Sequence, residues 1–266
     1  MGDLLIRWRA ALEEQSPVAV ATVIEGPGVG GKILVAPEDH VGGAGNDDLD
    51  RAIIEAARGM LEGGRTGTIH LGPRGQRRME DVAVFVQSFS PPPQMYVFGA
   101  IDFASAVARI GKLMGYRVTV CDARPVFATR ERFPTADEVV VAWPDELLKT
   151  APVDRRTVIC VLTHDPKFDV PVLVQALKTE AGYIGAMGSR RTHNNRTARL
   201  KEEGITDEQL SRISSPIGLD IGARTPEETA VAIAAEIIAL RTGHSGGRLS
   251  GRSGPIHAAE AAARRE

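Results

Sequence analysis

Residues 95–122 read MYVFGAIDFASAVARIGKLMGYRVTVCD, and this stretch decides the fold. The apolar run that ends at Gly99 has the length and composition of a buried strand. Ala104 to Gly115 places small and apolar residues at helical spacing and closes on a glycine, as a helix end does. Tyr116 to Asp122 is a second strand, rich in β-branched residues. A helix between two strands is the crossover that parallel pairing needs.

Working outward, the same rhythm continues toward the C-terminus. EVVVAW (138–143), TVICVLTH (157–164) and YIGAMG (183–188) are further strands, each separated by enough chain for a crossover. Thr225-Pro226-Glu227-Glu228 opens a last helix: Thr225 caps, Pro226 suits the first helical position and Glu228 reaches back to complete a capping box. The pattern predicts a Rossmann-like parallel α/β domain over residues 94–243.

Toward the N-terminus the pattern differs. Leu4, Leu5, Trp8, Ala11 and Leu12 fall near helical spacing, with Asp3 placed to cap. VAVATVIE (18–25) and KILVA (32–36) flank the glycine-rich GPGVGG, a hairpin-like connection. A helix over 47–60 and strands at TGTIHL (66–71) and DVAVFVQSF (81–89) follow. Ser90-Pro91-Pro92-Pro93 ends strand and helix alike. Residues 1–90 are therefore expected to form a smaller α/β domain. Beyond Gly243, residues 244–266 are glycine-rich and low in apolar content, and are expected to be a mobile tail in which HAAEAAARRE (257–266) becomes helical only on docking.

Candidate binding residues cluster where strands end, the edge at which open α/β sheets take ligands. In the first turn, Gly99 and Ala104 stand at the first and third positions of a dinucleotide fingerprint, with Ala100 and Asp102 beside the phosphate path. Ile101 replaces the central glycine. Its bulk stands where phosphate should approach, and a positive φ there would be strained. Asp122 lies where an acid would take ribose hydroxyls, and Arg124 could meet a phosphate. His164 and Asp165 follow the fourth strand, as a proton donor or ligand contact, or as a turn-stabilising pair. After the fifth, Gly188 permits close backbone approach, Ser189 caps a helix, and Arg190, Arg191 and His193 gather at its positive end as an anion site. The bland alternative is a solvated basic helix, since Arg196, Arg199 and Lys201 continue the charge and Glu202 and Glu203 balance it. Asp220, in the glycine-punctuated loop 216–223, is placed to line the same crevice or to mark tight packing under the sheet.

Bulk properties exclude several classes. The chain has 266 residues, 43% hydrophobic and 25% charged, with a formal net charge of −2. That is ordinary for a globular protein and argues against nucleic acid as a partner. No apolar stretch approaches the roughly 18 residues of a membrane span. Arg and Glu interrupt the first fifteen residues, unlike the core of a signal peptide. Cys121 and Cys160 each sit inside an apolar run, which suits packed free thiols in a reducing, cytoplasmic setting.

Together, VTVCDARPVFATRERFPTADEVVVAWP, LTHDPKFD, YIGAMGSRRTH and RISSPIGLDIGARTPEETAVAIAAEIIALRTG resemble the XdhC/CoxI family of xanthine dehydrogenase accessory proteins over Tyr96 to Gly243. VAVATVIE and the Ala- and Ile-rich helix at 52–57 resemble its N-terminal part in outline. The resemblance implies binding of molybdenum cofactor (molybdopterin), support of its sulfuration, and delivery to a molybdenum hydroxylase such as xanthine or carbon monoxide dehydrogenase, with a homodimer as the expected assembly. It implies an accessory factor more than a catalyst. The chain departs from the family at two places. Gly99-Ala100-Ile101-Asp102 stands where the family has Gly-x-Gly-His, and Ala44 stands where it has a cysteine. An NAD(P)-dependent oxidoreductase using Asp122 and His164, and a non-catalytic interaction module with a degenerate crevice, are the alternatives.

Overall fold

A computed structural model describes residues 2–14, 16–76 and 79–251, the side chains of residues 2 and 3 excepted. The Asp3 cap and the tail beyond residue 251, with its docking helix, lie outside the described residues. The chain divides into two compact units between Pro92 and Pro93.

In the first unit, helix α1 (Gly2–Glu13) precedes strands β1 (Val18–Glu25), β2 (Lys32–Val35) and β3 (His40–Gly43), helix α2 (Asp47–Glu62), and strands β4 (Gly67–Leu71) and β5 (Val82–Phe89). The strands form an antiparallel sheet in the order β3-β2-β1-β5-β4. β1 and β2 are the expected hairpin. β3 is an addition to the expected elements: HVGG carries too little apolar signal to read as a strand, and its pairing with β2 supplies the order. Alternation along β1 splits the layers. Val18 and Val20 face Leu4, Trp8 and Ala11 of α1. Ala19, Ala21 and Val23 face Leu49, Ile53 and Ala57 of α2.

The second unit runs β6 (Gln94–Phe98), α3 (Asp102–Leu113), β7 (Arg117–Asp122), β8 (Glu138–Val141), α4 (Pro144–Thr150), β9 (Val158–Val161), α5 (Pro166–Leu177), β10 (Tyr183–Ala186), α6 (Arg190–Glu202), α7 (Asp207–Leu210), β11 (Ile213–Ser214) and α8 (Pro226–Thr242). Its sheet has the order β11-β10-β9-β6-β7-β8, and every ladder is parallel. This is the doubly wound Rossmann order. The chain builds outward from β6 through β7 and β8, then returns to the other side of β6 with β9. Carboxyl ends at that reversal are where such sheets leave a crevice.

Both sheet faces are covered, so β6 is apolar from Met95 to Phe98. Met95 and Val97 pack with Val107 and Ala108 of α3 and Ile233 and Ile237 of α8. Tyr96 and Phe98 pack with Val172, Leu173 and Ala176 of α5 and Leu200 of α6. Burying each such large side chain contributes about 1.5–3 kcal/mol. The capping box at α8 forms as the sequence predicts, with Glu228 N–H donating to Thr225 Oγ1 at 3.2 Å and Thr225 N–H donating to Glu228 Oε2 at 3.1 Å. Gly243 ends the helix in the left-handed conformation, φ +68°.

Candidate functional site at the carboxyl edge of the parallel sheet

The turn after β6 is held by its own neighbours. Ala100 N–H donates to Asp122 Oδ2 at 2.8 Å, and Ala100 C=O accepts from Arg132 Nη1 at 3.0 Å. Gly99 N–H donates to the Cys121 carbonyl at 2.8 Å, Ile101 N–H to Gly99 O at 3.0 Å, and Ala104 N–H to Ile101 O at 3.0 Å. Of the amides of 99–104, only those of Asp102 and Phe103 are without a partner among the described residues. Gly99 has φ +102°, and a Cβ there would strike the Thr163 side chain, so this glycine lets β6 and the end of β9 close up.

Ile101 is not strained. Its φ of −93° and ψ of 175° are extended, and its side chain packs on the core shared by Ala104 and Val107. Asp102 begins α3, where a carboxylate suits the helix dipole, and Arg132 Nη2 reaches it at 3.3 Å. Helix α3 thus offers its N-terminus already faced by negative charge.

Asp122 is buried, with its side chain 2% exposed, and its oxygens are occupied. Oδ1 accepts from Arg124 N–H and Arg124 Nε, both at 2.9 Å; Oδ2 accepts from Arg124 Nη2 and Ala100 N–H, both at 2.8 Å. A carboxylate has about four acceptor directions, so a ribose hydroxyl would have to displace one of these donors. Burial pushes the Asp122 carboxyl up, but the Arg124 guanidinium and the two amides outweigh it and hold the group below its ordinary 3.8. Arg124 is engaged as well: its Cζ lies 4.4 Å from the Phe127 ring centre and 5.9 Å from that of Phe168. Half-exposed Trp143 tilts against Phe168 at 5.1 Å.

A different arrangement follows β9 and β10. Thr163 and Asp169 are buried, and Thr163 Oγ1 donates to Asp169 Oδ1. Arg196 Nη2 donates to Asp169 Oδ2 at 2.7 Å and to the Met187 carbonyl at 2.7 Å, and Nη1 to Ser215 Oγ at 3.3 Å. This buried ion pair ties α6 to α5 and to the end of β10. Burial pushes the Asp169 carboxyl above its ordinary value, against the pull of Thr163 and Arg196.

Above the pair lies a cleft of about 220 Å³, lined by His164, Pro166, Asp169, Val170, Arg191 and Thr192, and by Asn195, Arg196 and Arg199 of the same α6 face. Ser189 caps α6, its Oγ accepting from Thr192 N–H at 3.2 Å. A Cβ on Gly188 (φ +149°) would crowd Thr192 at 2.9–3.0 Å, so the close approach at this glycine is made by Thr192.

Of the candidate residues, His164 and Arg191 line this cleft. Arg190 and His193 share the helix start but not its lining. Asp165 caps α5 and pairs with Lys167 at 3.2 Å. Asp220 is exposed on a loop that α8 fastens: Gly218 N–H donates to Glu236 Oε2 at 2.9 Å and Leu219 N–H to Ala232 O at 3.2 Å. Gly218 has φ +97°, and a methyl group added to it would lie 3.3 Å from Ala232, so the loop glycine serves tight packing.

Sequence reasoning missed Asp169, Asn195 and Arg132. Its alternative reading of α6 set Arg196 and Arg199 on a solvated face balanced by Glu202 and Glu203. Arg196 is in fact buried and balanced by Asp169, while Lys201 pairs with Asp207 at 2.7 Å. A signal existed: Asp169 is the one carboxylate in PKFDVPVLVQAL, and an acid inside an apolar helix needs a buried cation.

The architecture is that of a Rossmann domain carried behind an antiparallel α/β unit. The XdhC Rossmann domain model matches residues 95–237, and the model of the XdhC and CoxI family matches residues 11–72. The chain belongs to this family. It is 34% identical over 158 residues to a probable xanthine dehydrogenase subunit of Bacillus subtilis (strain 168), covering 59% of this chain and 46% of that protein. It is 28% identical over 157 residues to the "Molybdenum cofactor insertion chaperone PaoD" of Escherichia coli (strain K12), covering 59% of this chain and 43% of that one. The chain thus spans about half the length of the curated relatives it matches. A crystal structure described as a xanthine dehydrogenase from Bacillus halodurans shares the fold, with TM-score 0.53 and 20% identity, covering 91% of this chain and 97% of that one.

Proposed function

We infer that this chain is an accessory protein that takes molybdenum cofactor as cargo and passes it to a molybdenum hydroxylase of the xanthine dehydrogenase type. The observation that carries this reading is the cationic cleft at the carboxyl edge of the sheet, in a domain whose relatives include a chaperone named for inserting that cofactor. The cargo is a flat pterin with an anionic phosphate, and the edge offers both chemistries. Arg191 and Arg199 supply positive charge, and half-exposed Trp143, backed by buried Phe168, supplies an aromatic surface.

The chain's own residues hold the cargo through its organic part. Among the described residues, no group of three or more His, Cys, Asp or Glu side chains is placed to hold a metal ion. Both thiols are buried and pushed up to about 12. A nicotinamide dinucleotide draws little support from the turn at 99–104, where most amides and the nearby acid are already engaged. A cytoplasmic homodimer belongs to the same reading; sedimentation of the purified chain tests the assembly.

Anaerobic titration of the full chain with molybdopterin, followed by transfer to a cofactor-free hydroxylase, tests the function. Saturable binding at or below about 10 μM with recovery of hydroxylase activity is expected. No binding at that concentration overturns it.

A further inference from the structure

We propose that the cleft between α5 and α6 is a binding site for a phosphate monoester dianion. The inference rests on the cofactor-handling reading for the identity of the larger ligand whose phosphoryl end would sit there.

Size comes first. At about 220 Å³ the cleft falls below the roughly 300–1,000 Å³ that encloses a whole small molecule. It accommodates a terminal group.

Charge comes second. Asp169 is the only carboxylate in the lining, and its oxygens accept from Thr163 and from Arg196, which neutralises it. The side chains of Arg191 and Arg199, by contrast, make no hydrogen bond or ion pair among the described residues. Elsewhere in this unit several arginines pair with acids, Arg109 with Glu227, Arg117 with Glu138 and Arg132 with Asp102, and others bond backbone carbonyls, as Arg130 does at Ala136 and Arg212 at Leu177. Two guanidiniums left without acids beside one neutralised pair give the cleft an excess of two positive charges. A monoester dianion matches that excess, and a diester, with one charge, does not.

Geometry comes third. Arg191, Asn195 and Arg199 are spaced four apart and form one stripe along α6. They face His164 in the loop after β9 and Pro166 at the start of α5. The arginines provide forked donors suited to phosphate oxygens, and Asn195 and His164 add further side-chain donors. The N–H groups of Arg190 and Arg191 have no partner among the described residues, and α6 has no acid in its first turn, so the helix dipole adds to the same field. Arg196 is fixed by its buried bonds to Asp169 and Met187, which keeps the α6 face in place against α5.

The experiment titrates the full chain with phenyl phosphate, dimethyl phosphate and sodium sulfate, followed through the side-chain Nε signals of Arg191 and Arg199. Phenyl phosphate should saturate near about 1 mM and shift both signals; dimethyl phosphate should bind at least tenfold more weakly. Arg191→Gln and Arg199→Gln are surface changes that should leave thermal unfolding unchanged and each weaken phenyl phosphate about tenfold. Saturation by sulfate alike would mark a general dianion site and overturn the phosphate assignment. Failure of phenyl phosphate to saturate, or equal binding by the double variant, overturns the site. Molybdopterin separates the two readings. Equal molybdopterin binding by wild type and double variant removes this site and leaves cargo binding standing. Phenyl phosphate binding without molybdopterin binding does the reverse.

Discussion

Ala100 is pinned through both of its backbone polar groups, by Asp122 at its N–H and by Arg132 at its C=O. The carboxylate that in a nucleotide-binding relative would greet a ribose is here the anchor of the turn. Asp122→Asn should therefore act on stability. An amide nitrogen in place of one oxygen faces Ala100 N–H or Arg124, donor against donor, and the loss should be about 2 kcal/mol by urea unfolding. The pH dependence follows from the direction of the shift. Asp122 sits below its ordinary value in the folded chain and regains that value when unfolded. Its contribution is full above the ordinary carboxylate range and is lost as pH falls through the folded value. Wild type should lose stability steeply below about pH 4, and Asp122→Asn should show a shallower fall.

The same residues show what the sequence could tell. Ile101 was legible as the departure from the fingerprint, because motif position alone exposes it. Its consequence was not legible. Whether a β-branched side chain blocks a phosphate depends on where it packs, and here it lies, partly buried, against the core. Restoring glycine by Ile101→Gly should cost about 1–3 kcal/mol through lost burial and added backbone entropy. It should not create NADH binding by fluorescence titration, because Asp122 stays occupied. Saturable NADH binding by that variant would show that the isoleucine alone had closed the site.

At the scale of elements, periodicity carried the parallel strands and the capped α8, since both are local patterns. The cleft is not local. Asp169 and Arg196 lie 27 residues apart, and only the docking of α5 against α6 makes them partners. Their cost is tested by a double-mutant cycle. Asp169→Leu leaves a buried guanidinium unmatched, and Arg196→Met leaves a buried carboxylate unmatched, so each should lose about 3–5 kcal/mol. The double variant should recover most of that loss, because an apolar pair has no charge to desolvate. A double variant as unstable as the sum of the singles would mean that the bonds of Arg196 to Met187 and Ser215, rather than the ion pair, carry the stabilisation.

At the scale of the whole molecule, the proposed cargo role turns on sulfur. Both cysteines lie on strands beside β6: Cys121 is opposite Phe98 and Cys160 opposite Val97. The thiols are buried, and burial holds each at about 12. At pH 8 that leaves roughly one thiolate in ten thousand, whereas an ordinary cysteine near 8.5 is about one quarter ionised. Cys121 Sγ also donates to the Ala142 carbonyl at 3.4 Å, so the proton is held as well as sheltered. The loop with Ala44 supplies no replacement. The native chain should give no reaction with a chromogenic disulfide at pH 8 over an hour, and two equivalents once unfolded in guanidinium. Rapid reaction of the native chain would place a thiol within reach of cargo and assign it a share in sulfur transfer. Silence in the native state means that neither thiol of this chain supplies sulfur to the cargo of the proposed function.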